Sequence, residues 1–181
     1  MRSRGLVNER IISRVTDILE QCSEKIGIKI ASIVLFGSRA RGDNTSQSDY
    51  EFLILLGDEA SLESYILFQE TVKLELVRER YLNVKILSYT PEIFEEILYK
   101  DKIVGTFLYM ICRENIIIYD KFGTFMSIRE RLSSNKTKSE EVFLQQCIEF
   151  SKMLGSEKWE RKFDKTLMQI KYRNSRRRRL Y

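Results

Sequence analysis

Apolar residues recur in two rhythms along the first 120 residues, and glycines or polar clusters mark most of the changes between them. From Asn8 to Ile26, Ile11, Ile12, Val15, Ile18, Leu19 and Cys22 fall at helical spacing, with Asn8 placed to cap the first turn. Gly27 stops that helix, and Ile30 to Phe36 (IASIVLF) is a short apolar run rich in β-branched residues, the pattern of a buried strand. A polar, turn-rich stretch from Arg39 to Ser48 separates it from Tyr50 to Leu56 (YEFLILL), a second strand entered through a charged end. Ser61 to Tyr81 predicts a long helix carrying Leu62, Tyr65, Ile66, Phe68, Val72, Leu76 and Val77 inward and Glu75 and Glu79 outward. Leu82 to Leu87 predicts a third strand. The lone Pro91, with Thr90 before it, fits the first turn of another helix. Thr106 to Cys112 continues the helical packing, and Ile116 to Tyr119 is a short last strand. Helices are expected over 122–133, 138–154 and 157–171, with a polar linker at Ser133 to Ser139 that divides the chain into 1–135 and 136–181.

Composition supports a folded chain and removes several kinds of chemistry. Hydrophobic residues at 43% against 31% charged, with ten Phe and nine Tyr, supply a core without staples. The three widely spaced cysteines, Cys22, Cys112 and Cys147, read as buried thiols of a reducing compartment. No histidine is present, which excludes His-based acid–base work, Ser-His-Asp hydrolysis and nearly every zinc arrangement. Carboxylates, Lys, Arg or a bound metal must carry any catalysis. The N-terminal MRSRGLVNERI has neither a signal-peptide core nor a membrane span, so a cytoplasmic location away from membranes is expected.

Charge is unevenly placed. Residues 136–181 hold 13 Lys and Arg against 6 Asp and Glu, whereas residues 1–135 hold 18 against 20. The basic end, with Arg176, Arg177, Arg178 and Arg179, is a candidate RNA contact through phosphate neutralisation, the alternative being a solvated tail. Trp159 reads as a helix-packing residue.

The chemistry concentrates in Ile33 to Leu55, IVLFGSRARGDNTSQSDYEFLIL: an apolar strand, Gly37-Ser38, ten residues, then Asp49-Tyr50-Glu51 opening the next strand. Side chains alternate along a strand, so Asp49 and Glu51 project from one face and Tyr50 from the other. Two adjacent carboxylates repel unless a cation joins them, and Mg²⁺ is held by one or two carboxylates together with substrate phosphates. Gly37 removes bulk where a phosphate must approach the backbone, and Ser38 offers a hydroxyl and an N–H at the start of a short helix. Arg39 and Arg41 on their own read equally as solvated loop arginines or as phosphate contacts. Asp43, in a Gly-Asp-Asn turn, reads as turn chemistry.

This run resembles the minimal nucleotidyltransferase branch of the DNA polymerase beta superfamily, with its Gly-Ser, spacer of about ten, and acidic-apolar-acidic triplet. The resemblance is strong over 31–56, follows element order over 8–120, and says little beyond about 135. It implies an α/β fold with a small mixed sheet backed by helices, here followed by a helical C-terminal extension. It also implies that Gly37, Ser38, Arg39 and Arg41 bind a nucleotide, ATP or another NTP, the two arginines by neutralising phosphate charge. Asp49 and Glu51 would be catalytic and hold two Mg²⁺ ions for attack on the α-phosphate, releasing pyrophosphate. Minimal nucleotidyltransferases often pair with HEPN-type toxins and modify a tyrosine on them, so a helical HEPN-type partner and a homo- or hetero-oligomer are expected. Small-molecule acceptors are a weaker expectation.

Two departures stand out. Glu51 takes the place of the more usual second Asp. On the third strand, where relatives often carry a further carboxylate able to act as base, LNVKIL places Lys85. A protonated lysine does not ligate Mg²⁺ and would draw the two acids toward itself. A catalytically impaired binding module that masks a partner, and an RNA-binding protein using its basic tail, therefore stand beside the enzyme reading.

Overall fold

The computed structural model describes residues 8–57, 59–134 and 140–178. Helix α1 (Glu9–Ile26) begins where expected, with the Asn8 side chain accepting from the Arg10 N–H at 3.1 Å, a cap worth about 1 kcal/mol. Strand β1 (Ile30–Phe36) runs straight into the one-turn helix α2 (Gly37–Arg41), and β2 (Tyr50–Leu56) returns. Helix α3 (Leu62–Arg78), β3 (Val84–Tyr89), α4 (Pro91–Lys100), α5 (Ile103–Arg113), β4 (Ile116–Tyr119) and α6 (Thr124–Ser134) follow, then α7 (Glu140–Met153) and α8 (Glu157–Arg178).

The expected mixed sheet is present. Its order is β3-β2-β1-β4, with β1 antiparallel to both β2 and β4, and β2 parallel to β3. Helix α3 ends sooner and β3 starts later than the periodicity predicts. Residues 79–83 are spent on a turn in which Arg80 takes a left-handed φ of 62° and the Tyr81 N–H returns to the Leu76 carbonyl at 2.8 Å. Leu62, Ile66 and Val77 of α3, expected inward, face solvent; the buried stripe is Phe68, Val72 and Leu76. Glu75, expected outward, is half-buried, 3.7 Å from Lys25 and 3.5 Å from Arg78.

The chain packs as two compact units, the described parts of Met1–Phe94 with Arg113–Ser127, and of Glu95–Cys112 with Ile128–Tyr181. Residues 95–112 thus belong with the C-terminal helices, and the division expected near residue 135 falls inside the second unit. Most of the expected linker, 135–139, lies outside the described residues.

In the first unit α1 and α3 cover one face of the sheet. Val15, Ile18, Leu19 and Cys22 meet Phe68, Val72 and Leu76 over Ile33, Leu35, Tyr50, Phe52 and Ile54. At about 25 cal/mol per Å² of apolar surface removed from water, this continuous layer is the main force fixing the strands. In the second unit the Tyr109 and Phe143 rings stack at 4.5 Å, and Trp159 stacks on Phe163 at 5.5 Å, the packing role expected of it. All three cysteines are buried thiols outside any disulfide, and burial pushes the Cys112 thiol up to about 12. The side chains of Arg176, Arg177 and Arg178 and all of Arg179 lie outside the described residues. Among the described residues no helix is long and apolar enough to cross a membrane.

Candidate active site

Strand pairing brings Asp49 and Glu51 to the rim of the sheet. Tyr50 is buried in the core layer; Glu51 follows it on β2, half-buried on the opposite face as strand alternation requires, and Asp49, the residue before the strand, is half-buried and close enough for its charge to act on Glu51. Glu51 pairs with Phe36 of β1, the residue before Gly37, so the triplet and the Gly-Ser corner are held together by sheet register.

Gly37 has a left-handed φ of 74°, and a Cβ built there would collide with the Glu51 carboxylate. A side chain at 37 would therefore evict Glu51 as well as strain the backbone. The glycine is required by the acid beside it, a constraint additional to the room for phosphate expected of it. Ser38 follows as the second residue of α2, half-buried, its carbonyl accepting from the Asp43 N–H at 3.1 Å to close the turn.

The electrostatics around Glu51 are mixed. Burial raises its pKa above the ordinary carboxylate value; Arg41 pulls it down, Asp49 raises it, and Lys85 pulls it down. The net shift is upward, so this carboxylate carries its charge at a cost that a further cation would relieve. Arg41 lies over the same corner, with its Nε 3.3 Å from Asp43 and 3.6 Å from Glu114. Glu114 was not picked out by the sequence. It sits more than 70 residues from Arg41 along the chain and belongs to no local pattern.

Parallel register sets Lys85 directly opposite Glu51 and on the same face. The lysine is exposed, and its charge reaches Glu51 through space. Lys85, which the family resemblance sets against a third acid, is thus a cation in register with Glu51.

Arg39, expected beside the phosphates, is instead turned inward. Its Nε and Nη2 donate to the Ser48 carbonyl at 3.1 and 2.6 Å, and its guanidinium carbon lies 3.9 Å from the centre of the Tyr50 ring. The physical reason is α2. Residues two apart on a helix point about 200° apart, so Arg39 and Arg41 leave on opposite sides of the short helix that was expected to start at Ser38.

The donor set suits Mg²⁺. Two carboxylates with hard oxygens share a face at a glycine cradle, and Mg²⁺ fills its remaining positions with water and phosphate. Among the described residues no group of three or more acids or cysteines could hold a metal, so water, or phosphate when substrate is bound, would fill the positions that Asp49 and Glu51 leave open. A cleft of about 440 Å³ lies elsewhere, between α3 and β3, lined by Val72, Leu76, Tyr81 and Val84. It is on the α3 side of the sheet, toward which Tyr50 points and from which Asp49 and Glu51 point away.

The family described as "Nucleotidyltransferase domain" matches residues 15–119, more than half of the chain and all of the carboxylate corner. The chain belongs to the nucleotidyltransferase domain family. A curated relative from Methanocaldococcus jannaschii, provisionally named a protein adenylyltransferase, is 36% identical over 50 residues, 27% of this chain and 34% of that protein. The chain therefore spans about a third of that relative's length. Membership accounts for the order of β1, α2 and β2 and supports nucleotidyl transfer as the general chemistry of the domain.

Proposed function

We propose that the protein transfers a nucleoside monophosphate, AMP from ATP, to a hydroxyl acceptor, as a member of the minimal nucleotidyltransferase branch. The observation that carries this reading is that Asp49, just before β2, acts by its charge on Glu51 within β2, with the Gly37 backbone against the Glu51 carboxylate. Gly37 and Ser38 would receive the outer phosphates, and Arg41, on the carboxylate side of α2, would offset their charge. Asp49 and Glu51 would hold Mg²⁺, two ions by the resemblance, which when bound supplies electrostatic stabilisation of charge developing on the phosphate. Glu51, whose ionised form is held in a partly dry setting, gains most from such a cation.

The name of the archaeal relative favours a protein as the acceptor. A tyrosine of a HEPN-type partner fits the branch and would make the pair an antitoxin and its toxin. Incubation with labelled ATP, Mg²⁺ and the protein encoded beside this one tests the reading. Label should enter the partner with wild type and not with Asp49→Ala. Equal incorporation by the two would overturn it.

A second reading rests on Lys85. A cation in register with Glu51 can neutralise the pair in the absence of metal, which would suit a domain that binds nucleotide or masks a partner without turnover. Nucleotide binding with no transfer by wild type, together with transfer restored in Lys85→Asp, would favour it. RNA contact by the basic tail is a separate proposal, tested by comparing RNA affinity of the full chain and of a chain lacking 173–181 at two salt concentrations.

A further inference from the structure

We propose that Arg39 is the positioning residue of Asp49. The inference rests on the reading of Asp49 as a metal-binding carboxylate of the transfer site, and it assigns Arg39 a task different from phosphate contact.

The guanidinium grips the chain on both sides of Asp49. Its two donors fix the carbonyl of Ser48, the residue before, and its flat face covers the ring of Tyr50, the residue after. Each of these neighbours is held a second time. The Ser48 hydroxyl accepts from the Thr45 N–H at 2.9 Å, and the Ser48 N–H returns to the Thr45 carbonyl at 3.2 Å. The Tyr50 N–H donates to the Asn83 carbonyl at 2.8 Å, and its hydroxyl accepts from the Asn8 N–H at 3.3 Å. Asp49 itself precedes the strand and lacks the ladder bonds that hold Glu51. What determines where its carboxylate sits is the clamp across its neighbours.

Arg39 is also in the wrong place to meet a phosphate. Tyr50 points away from Asp49 and Glu51, and a group stacked on Tyr50 lies on the far side of β2 from them. Only 8% of Arg39 is exposed. Burying a guanidinium is costly unless it is compensated, and here Nε and Nη2 donate to a backbone carbonyl while the Tyr50 ring covers the cationic face. Lysine is a poor substitute, because a single ammonium cannot make the two-donor contact and also lie flat on the ring. Misplacement of a reacting group by 1 Å can cost about 100-fold in rate, so a buried clamp two residues wide is a reasonable device at this point.

The test uses Mn²⁺ as a spectroscopic stand-in for Mg²⁺. Mn²⁺ affinity is measured by electron paramagnetic resonance, and ATP affinity is measured separately in EDTA. The proteins are wild type, Asp49→Asn, Arg39→Met and Arg39→Lys, each at a temperature where circular dichroism shows it folded. Wild type should bind Mn²⁺ and Asp49→Asn should not. Arg39→Met should weaken Mn²⁺ binding by about 10-fold to 100-fold, the range for residues that orient a ligand, while ATP affinity in EDTA stays within about two-fold. Arg39→Lys should fall between it and wild type, and it decides the matter if Arg39→Met does not fold. Unchanged Mn²⁺ affinity with only a lowered melting temperature would overturn the proposal in favour of a purely structural role. Loss of ATP affinity in EDTA with Mn²⁺ affinity kept would overturn it in favour of a phosphate arm. Failure of the parent reading looks different: wild type and Asp49→Asn would then bind Mn²⁺ alike, or neither would bind it, and the proposal would fall with it.

Discussion

Two glycines, Gly37 in the first unit and Gly105 in the second, are each pressed against a neighbouring element, and what occupies the missing Cβ position differs. At Gly37 it is the Glu51 carboxylate, a side chain poised at an open rim. At Gly105, in α5, it is the backbone of α4, with the Ile97 and Leu98 carbonyls each 2.7 Å from where a Cβ would be. The first clears space for a charged group, and the second lets two helices touch. Around Gly37, Ser38, Arg41, Asp49 and Glu51 are only half-buried, with charges of both signs acting on Glu51. Around Gly105 the neighbouring polar side chain is Thr106, which is buried and spends its hydroxyl on the Lys102 carbonyl at 2.6 Å. The contrast is between a site organised to receive charge and a core organised to exclude water.

Removing a charge from the first region should produce the largest effect. Asp49→Asn keeps the shape and deletes one metal-binding oxygen anion, and nucleotidyl transfer should fall by on the order of 10³-fold, measured as labelled AMP incorporation. The same isosteric step in the second region, Thr106→Val, should leave transfer unchanged and cost stability only, about 1–2 kcal/mol in urea unfolding. If Asp49→Asn retained transfer, the division of roles between the two regions would collapse.

The glycines themselves come next. Gly105→Ala drives a methyl into backbone carbonyls that cannot move singly, and should destabilise by about 1–3 kcal/mol with nucleotide binding retained at low temperature. Gly37→Ala meets the movable end of a side chain, so the carboxylate swings away. Stability should fall by about 1–2 kcal/mol from the left-handed backbone, while transfer drops by a larger factor than that destabilisation explains. Equal losses of stability and activity in both variants would mean that Gly37 is only another packing glycine.

How much of this could be read from the sequence follows from how local each feature is. Alternation along a strand is a property of consecutive residues, so the shared face of Asp49 and Glu51 and the inward turn of Tyr50 were legible before any fold was known. The short strands β1, β2 and β4 were bounded correctly for the same reason. Arg39 and Arg41 were legible as basic and illegible as opposed, because the short helix expected at Ser38 gave no length, and its extent decides where each arginine points. The Arg41–Glu114 pair and the Asn8–Tyr50 bond depend on contacts across 42 residues or more, which no local pattern carries, whereas the Arg39 contacts to Ser48 and Tyr50 lie close in sequence but need the turn between them to fold back. The outer face of α3 misled for a physical reason: Leu62, Ile66 and Val77 satisfy helical spacing on a side that the sheet does not cover.

Lys85 offers a smaller and more specific test. Its charge lowers the pKa of Glu51, so Lys85→Gln should let that pKa rise further. The acid limb of any transfer activity should then move to higher pH, by less than one unit given the exposure of Lys85. Lys85→Asp should shift the limb further in the same direction. A limb that stays in place in both variants would place Lys85 outside the electrostatics of the site.

The smallest expected effect separates charge from shape at Glu51. Its pKa in the folded chain is raised, chiefly by burial, above the 4.5 of an ordinary glutamate. Between that value and the raised one the folded state binds more protons than the unfolded chain, so stability falls as pH rises through this window and stays lower above it. Below the window the group is protonated in both states and costs nothing. Glu51→Gln mimics the protonated form. In the absence of metal it should therefore raise the melting temperature at pH 7, by about 1–3 °C for a chain of this size, and leave it unchanged at pH 3.5. Added Mg²⁺ should stabilise wild type and leave Glu51→Gln nearly unaffected, because the cation relieves a charge that the variant lacks. A variant less stable than wild type at pH 7 without metal would mean that Arg41 and Lys85 already compensate Glu51 in full, and that the corner is closed by its own cations.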